Sequence, residues 1–223
     1  MKLTRLVPCS VFLFACFPAA AGLLYTTFAE PGNGYTTTSF GICGPTSGCP
    51  EQEYAQPFDL ASSATLTELD LVVAFDTNYG GGTNSLVASI VTDNNGSPGS
   101  TVLESWTFAA PSQAPFPITT LTSVANPTLL GGTPYWLIIA PGASDTPGNW
   151  FVSSYSDFGS IAESTDGGAA WTIERSFVMA FDLQGNASSA PEPSTFALLL
   201  LPLAWLAARW FHNSRRTQGD SIR

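Results

Sequence analysis

Apolar and polar residues alternate with a period of two along most of this chain. The clearest case is residues 69–75, in which every second residue is a large apolar one. Because successive side chains of a β-strand point to opposite faces, this period predicts a strand with one buried face. The same reasoning predicts strands over residues 86–92, 101–108, 135–140, 149–155 and 176–183. No window within residues 22–189 has the apolar period of a helix.

The strands differ in how much of their surface is apolar. Residues 135–139 are apolar on both faces, which predicts a central position in a sheet. In residues 176–183, Phe177, Met179, Phe181 and Leu183 share one face. Turns rich in Gly, Pro, Asn and Asp separate the predicted strands. The pattern therefore predicts an all-β fold, an antiparallel β-sandwich of jelly-roll type.

The two ends of the chain depart from this pattern. At the N-terminus, a basic stretch, an apolar run and a group of small residues have the arrangement of a secretory signal peptide. We expect residues 1–21 to be removed at a cleavage site formed by Ala19 and Ala21, so that the mature chain begins at Gly22. A lipoprotein signal ending at Cys16 is the alternative, although a bulky residue two positions earlier disfavours it.

The C-terminus combines a Pro-Glu-Pro motif, a short apolar run over residues 196–208 and a group of arginines. The motif and the arginines are Pro191, Glu192, Pro193, Arg209, Arg215 and Arg216. As a helix the run reaches about 20 Å, which is short of a bilayer core of about 30 Å. We therefore expect a short transmembrane helix that anchors the chain temporarily. Its arginines place the central segment outside the inner membrane.

This order of motif, apolar helix and arginines resembles the PEP-CTERM sorting tail of Gram-negative bacteria. The resemblance implies that the Sec translocon and exosortase, a membrane processing enzyme, are partners during export. It also implies transient anchoring in the inner membrane, followed by delivery to the cell surface or the exterior. Residues 191–216 would be the sorting signal, with a linker over residues 186–190 and a tail over residues 217–223.

The central domain, residues 22–185, resembles the choice-of-anchor domains of type R. The resemblance lies in residues 24–28, 54–58, 93–99, 103–106, 135–137 and 164–171. That family carries no established activity. The resemblance implies a cell-surface or matrix β-domain, with a structural or adhesive role in an exopolysaccharide or biofilm context.

The charge of the central segment indicates which kinds of partner it can bind. Residues 22–189 hold 15 acidic residues and one basic residue, Arg175. Such a surface repels phosphate backbones and anionic lipid, so we expect no nucleic-acid partner and membrane contact only through the C-terminal helix. Solubility explains the charge most simply, and binding of Ca²⁺ or of a cationic or neutral polysaccharide is the alternative.

Cys43 and Cys49, separated by five residues in a turn-rich stretch, are expected to form a disulfide in an oxidising compartment.

The residue types that are missing exclude most enzyme mechanisms. The single histidine, His212, lies in the C-terminal tail, and the single lysine, Lys2, lies in the signal peptide. This excludes nucleophiles activated by histidine, lysine Schiff bases and histidine-ligated metals from the central domain. A carboxylate pair, as in glycoside hydrolysis, remains the alternative. We predict no catalytic residues and no required cofactor.

One short motif matches a known pattern. Ser164, Asp166, Gly168 and Trp171 fit the Asp box, Ser-x-Asp-x-Gly-x-x-Trp, of sialidase-like propellers. A sialidase would repeat the motif and would need several arginines for its substrate. We therefore interpret it as a hairpin turn in which Asp166 accepts backbone N–H groups, glycines take positive φ and Trp171 packs below.

Two weaker candidates concern ligands. Asp93 and Asn95 lie in a turn whose short oxygen side chains suit Ca²⁺, but the run lacks the remaining ligands of an EF-hand loop, so plain turn formation is favoured. Tyr79, Trp150 and Tyr155 flank Gly- and Pro-containing turns, and we expect their rings to be exposed and able to stack on sugars.

Overall fold

The computed structural model describes residues 21–28, 34–155 and 158–188. Within these residues the chain forms fourteen β-strands and one short 3₁₀ helix, Thr77–Tyr79. The strands are β1 (Gly22–Thr26), β2 (Tyr35–Cys43), β3 (Glu53–Asp59), β4 (Ala64–Leu71), β5 (Val73–Phe75), β6 (Ser85–Asp93), β7 (Pro98–Ala109), β8 (Thr119–Thr122), β9 (Thr128–Leu129), β10 (Pro134–Pro141), β11 (Pro147–Ser153), β12 (Phe158–Ser164), β13 (Thr172–Phe177) and β14 (Phe181–Ala187).

The strands form three sheets in which neighbouring strands pair antiparallel. The largest sheet has the order β13-β12-β3-β10-β6-β7, the second has the order β1-β14-β4-β8 with β9 also paired to β4, and the third has the order β2-β11-β5. The prediction of an all-β, antiparallel fold is confirmed. The central position predicted for residues 135–139 is also confirmed, because β10 lies between β3 and β6.

Two of the predicted strands are each divided between two sheets. Residues 69–75 form the end of β4 and all of β5, and residues 176–183 form the end of β13 and the start of β14. At the crossings Phe151 N–H donates to the Val72 carbonyl at 3.0 Å, and Ala180 N–H donates to the Phe151 carbonyl at 2.9 Å. The prediction of two continuous strands was wrong. The alternation of apolar and polar residues indicates which face of a strand is buried, and both halves of each predicted strand bury that face in the same core.

The main core collects buried side chains from all three sheets. Phe181 of β14 contacts the rings of Tyr25, Phe58 and Trp150. Burial of one such large apolar side chain stabilises the fold by about 1.5–3 kcal/mol. The same face includes Met179 and Leu183, both fully buried, so the shared face expected of residues 177–183 is present although the strand is not continuous.

A smaller apolar cluster covers the opposite face of the six-stranded sheet. It consists of Ala55, Val91, Trp136 and Ala162, with Trp171 packed against it. Trp136 and Val91 are direct partners in the β10–β6 register. These residues alternate with core residues of the same strands, as the pleat requires. This second face positions the turns described below.

Candidate functional site

A disulfide joins Cys43 and Cys49, as the sequence predicts. The Cα atoms lie 5.9 Å apart. Cys43 and Gln52 also exchange two backbone hydrogen bonds of 2.9 Å each. The loop is therefore closed by both a covalent bond and a pair of hydrogen bonds, and it leads directly into Glu51 and β3.

The Asp-box residues form the turn between β12 and β13. Asp166 Oδ1 accepts hydrogen bonds from Ala170 N–H at 2.9 Å and from the Ser164 hydroxyl at 2.8 Å. Ser164 Oγ in turn accepts from Gly168 N–H at 2.9 Å. Gly167 and Gly168 have φ values of +69° and +81°, which a glycine adopts without strain. The hydrogen bond from Ala170, followed by that from Ser164, holds the pKa of Asp166 below its usual value.

The turn of residues 93–97 is held by Asp93. Its Oδ2 accepts from Gly96 N–H at 2.9 Å, and its Oδ1 accepts from Trp136 Nε1–H at 2.7 Å. Asn95 has a φ of +54°, which Asn tolerates better than most residues. Both oxygens of Asp93 thus have structural donors. Within the described residues, no group of three or more His, Cys, Asp or Glu side chains is placed to hold a metal ion.

The fold brings these two turns together, although more than 60 residues separate them in the sequence. A cleft of about 310 Å³ lies between them. Its lining includes Asn94, Ser97 and Ser100 from one side and Trp171 from the other, and it includes no charged side chain. Trp171 is half-buried, because its ring also packs against the apolar cluster on the outer sheet face.

The three aromatic residues proposed for sugar contact are placed differently from one another. Trp150 is 0% exposed and packs in the main core. Its assignment as a surface residue was wrong, because β11 lies between β2 and β5 and turns this side chain inward. Tyr79 is 47% exposed and Tyr155 is 58% exposed.

Sequence reasoning missed a buried carboxyl at the start of β3. Glu53 is 6% exposed, and its Oε1 atom has no hydrogen-bond partner. Burial raises the pKa of Glu53 to about 7. The nearby Ser164 hydroxyl opposes this rise in pKa, whereas the negative charges of Glu51 and Asp166 add to it. No sequence signal marks Glu53, because a glutamate at the start of a strand resembles any solvated strand end.

A second buried carboxyl, Glu104, has the opposite environment. It is 5% exposed, and its oxygens accept from the Ser123 hydroxyl at 2.7 Å and from Ala125 N–H at 2.9 Å. Val124 N–H donates a further bond of 3.3 Å. Glu104 therefore orders the loop after β8, and its burial is compensated by its donors.

Several predicted features fall on parts of the chain without structural description. Ala19 and the sorting residues Pro191, Glu192, Pro193, Arg209, Arg215 and Arg216 lie outside the described residues. Ala21 is the residue before β1, which starts at Gly22. Residues 21–28, 34–155 and 158–188 include no helix that is long and apolar enough to cross a membrane.

Comparison with known proteins adds no functional assignment. No protein-family model matches the chain. A comparison with curated proteins finds no match either.

Proposed function

We propose that this chain is an exported protein of the cell surface or extracellular matrix, built on a jelly-roll-like β-sandwich with a structural or adhesive role toward exopolysaccharide. The acidic central segment with a single arginine suits an exposed location. The Cys43–Cys49 disulfide suits an oxidising compartment. In this proposal residues 1–21 direct export through the Sec translocon, and exosortase recognises residues 191–216.

The cleft beside Trp171 carries the adhesive part of the proposal. An indole that is held by packing against the outer apolar cluster offers an ordered surface for the C–H face of a sugar ring. Asn94, Ser97 and Ser100 line the cleft with amide and hydroxyl groups that can bond sugar hydroxyls. Because no charged side chain lines the cleft, a neutral polysaccharide is the ligand that fits it best.

Two alternatives follow from the carboxylates. Glu53, with a pKa of about 7, lies near the charge of Glu51, and glycoside hydrolysis uses one protonated and one ionised carboxyl. A calcium-stabilised glycan-binding module is the other alternative. The two alternatives and the main proposal predict different products and different dependence on Ca²⁺.

An oligosaccharide array probed with the full chain, with and without Ca²⁺ and with analysis of products, tests the proposal. We expect binding of neutral glycans without released reducing ends. Trp171→Ala should weaken binding about tenfold or more, equivalent to about 1.4 kcal/mol. Phe158→Ala, which removes an exposed ring that does not line the cleft, is the matched control and should bind as wild type does.

The proposal fails if Trp171→Ala binds glycans as tightly as wild type, or if no neutral glycan binds. Release of new reducing ends that Glu53→Gln abolishes would favour the hydrolase instead. Melting curves of each variant separate loss of binding from loss of folding.

A further inference from the structure

The Asp-box turn that carries Trp171 lies against the side chain of Glu53. Ser164, the last residue of β12 and the first of the Asp box, is opposite Glu53 in the pairing of β12 with β3. A Cβ atom built on Gly168 would lie 2.8 Å from Glu53 Oε1 and 3.7 Å from the Trp171 ring. The carboxyl, the Gly168 backbone and the indole are therefore close neighbours. Gly168 and Trp171 both line the cleft, so a change at Glu53 is felt there.

Two carboxyl groups lie near the single hydroxyl hydrogen of Ser164. The hydroxyl donates to Asp166 Oδ1 at 2.8 Å, and the same oxygen accepts from Ala170 N–H at 2.9 Å. The Ser164 hydroxyl also acts on the Glu53 carboxyl, whose Oε1 atom has no hydrogen-bond partner. A hydroxyl donates one hydrogen only. It therefore cannot serve two ionised carboxylates at once.

Burial distinguishes Glu53 from the other polar side chains that lack a partner. Among the residues that the structure describes, Asp182 and Asn186 also have a buried oxygen without a hydrogen bond, but both residues are partly exposed. Glu53 is buried as a whole residue. A buried carboxylate with too few donors is costly, whereas the protonated carboxyl carries no charge. The position therefore favours a neutral side chain.

The charged groups around Glu53 also favour its neutral form. Burial raises the pKa of Glu53 to about 7, and the negative charges of Glu51 and Asp166 add to that rise. Glu163 of the neighbouring β12 accepts a hydrogen bond from Gln52 at 2.7 Å. The chain after β10 carries no charged side chain where it lines a cavity with Glu53. The one arginine of the central segment pairs with β12 four residues before the Asp box.

We propose that Glu53 is a positioning residue of the Trp171 cleft. While Glu53 is protonated, the Ser164 hydroxyl stays with Asp166 and the turn keeps its form. When Glu53 releases its proton to solvent, it competes for that hydroxyl, and the turn that holds Trp171 loosens. The cleft therefore binds a neutral saccharide more tightly below pH 7 than above it. The effect on binding rests on the glycan function proposed for the cleft, whereas the effect on the turn does not.

The expected change is about that of one hydrogen bond. Loss of the bond from Ser164 to Asp166 should weaken binding about fivefold. The range from pH 5.5 to pH 8.5 spans the titration of Glu53. A neutral oligosaccharide has no group that titrates in this range, so a change in its affinity comes from the protein.

Hydrogen exchange tests the turn without any ligand. The full chain is labelled at pH 5.5, 7 and 8.5, and the protection of residues 164–171 is corrected for the intrinsic pH dependence of exchange. We expect protection to fall about fivefold from pH 5.5 to pH 8.5, and Glu53→Gln, which cannot ionise, should lose this pH dependence. Glu51→Gln removes a nearby negative charge and should move the midpoint of the fall to lower pH. Glu174→Gln, which removes an exposed carboxylate of β13, is the matched control and should keep it.

Binding is measured by calorimetry at the same pH values with two neutral probes, cellohexaose and chitohexaose. The probe that binds wild type should bind about fivefold more weakly at pH 8.5 than at pH 5.5, and Glu53→Gln should show no such difference. The proposal is wrong if protection and affinity do not change with pH, if Glu53→Gln changes as wild type does, or if Glu53→Gln has a poorly protected turn at every pH. Failure of both probes to bind would overturn the effect on binding, and hydrogen exchange would still decide whether Glu53 controls the turn.

Discussion

Replacement of Glu53 by Gln should stabilise the protein at alkaline pH. Glu53 is buried, its Oε1 atom has no partner, and the charges of Glu51 and Asp166 are close. These conditions favour the protonated form and raise its pKa from 4.5 to about 7. A raised pKa means that the folded state holds the proton more tightly than the unfolded chain does. The contribution to stability is complete below pH 4.5 and is lost as the pH rises through about 7.

The size of the effect follows from the pKa of Glu53. A rise from 4.5 to about 7 corresponds to about 3 kcal/mol at most. Because solvent screens part of the interaction, we expect about 1–2 kcal/mol. Gln is neutral at every pH, so in Glu53→Gln the free energy of unfolding should not fall as the pH rises through about 7. The variant should equal wild type within about 0.5 kcal/mol near pH 4.5 and exceed it by about 1–2 kcal/mol at pH 8.

The assay is urea unfolding of both proteins at pH 4.5, 6, 7 and 8 in the presence of a chelator. Glu104→Gln is the matched control, because it changes a buried glutamate that accepts three hydrogen bonds. It should destabilise the protein by about 1–3 kcal/mol at pH 8. A Glu53→Gln variant that is less stable than wild type at pH 8, or whose difference from wild type does not change with pH, would refute the reasoning.

Three further predictions concern other parts of the fold. Replacing both Cys43 and Cys49 by Ser should lower the free energy of unfolding by about 2 kcal/mol, and peptide mapping without reductant should find them joined in wild type. Asp166→Ala should cost about 1 kcal/mol in a melting experiment, and neither it nor wild type should cleave a fluorogenic sialoside. Trp150→Ala should cost about 3–5 kcal/mol in urea unfolding, and the fraction that remains folded should bind glycans as wild type does.

Part of the strand pattern was readable from the sequence because it depends on local alternation, but β2, β3 and β12 were not predicted. Residues 135–139 identified the central strand, since a strand buried on both faces cannot alternate. The sequence did not show that the chain passes from one sheet to another at Val72 and Ala180. The strands on both sides of each crossing face the same core, so apolar and polar residues continue to alternate across it. The order of strands in a sheet depends on pairing between distant segments, and the local pattern of apolar residues does not show which segments pair.

The same distinction applies to the candidate site. The Asp-box and Asp93 turns are local motifs, and their hydrogen bonds run within each turn or to one nearby strand. Their meeting at Trp171, and the burial of Glu53, depend on how β3, β10 and β12 pair. Trp150 was misplaced for a related reason, because a tryptophan after a loop has the same local sequence whether it faces solvent or the core.

Intact-mass analysis of protein recovered from the envelope of the native host tests the proposed export and sorting to the cell surface. We expect a chain that begins at Gly22, ends near Pro191 and carries the Cys43–Cys49 disulfide. Loss of exosortase should leave residues 192–223 attached and the protein in the inner membrane. Recovery of surface protein that retains its sequence through Arg223 would show that the chain is not sorted by cleavage near Pro191.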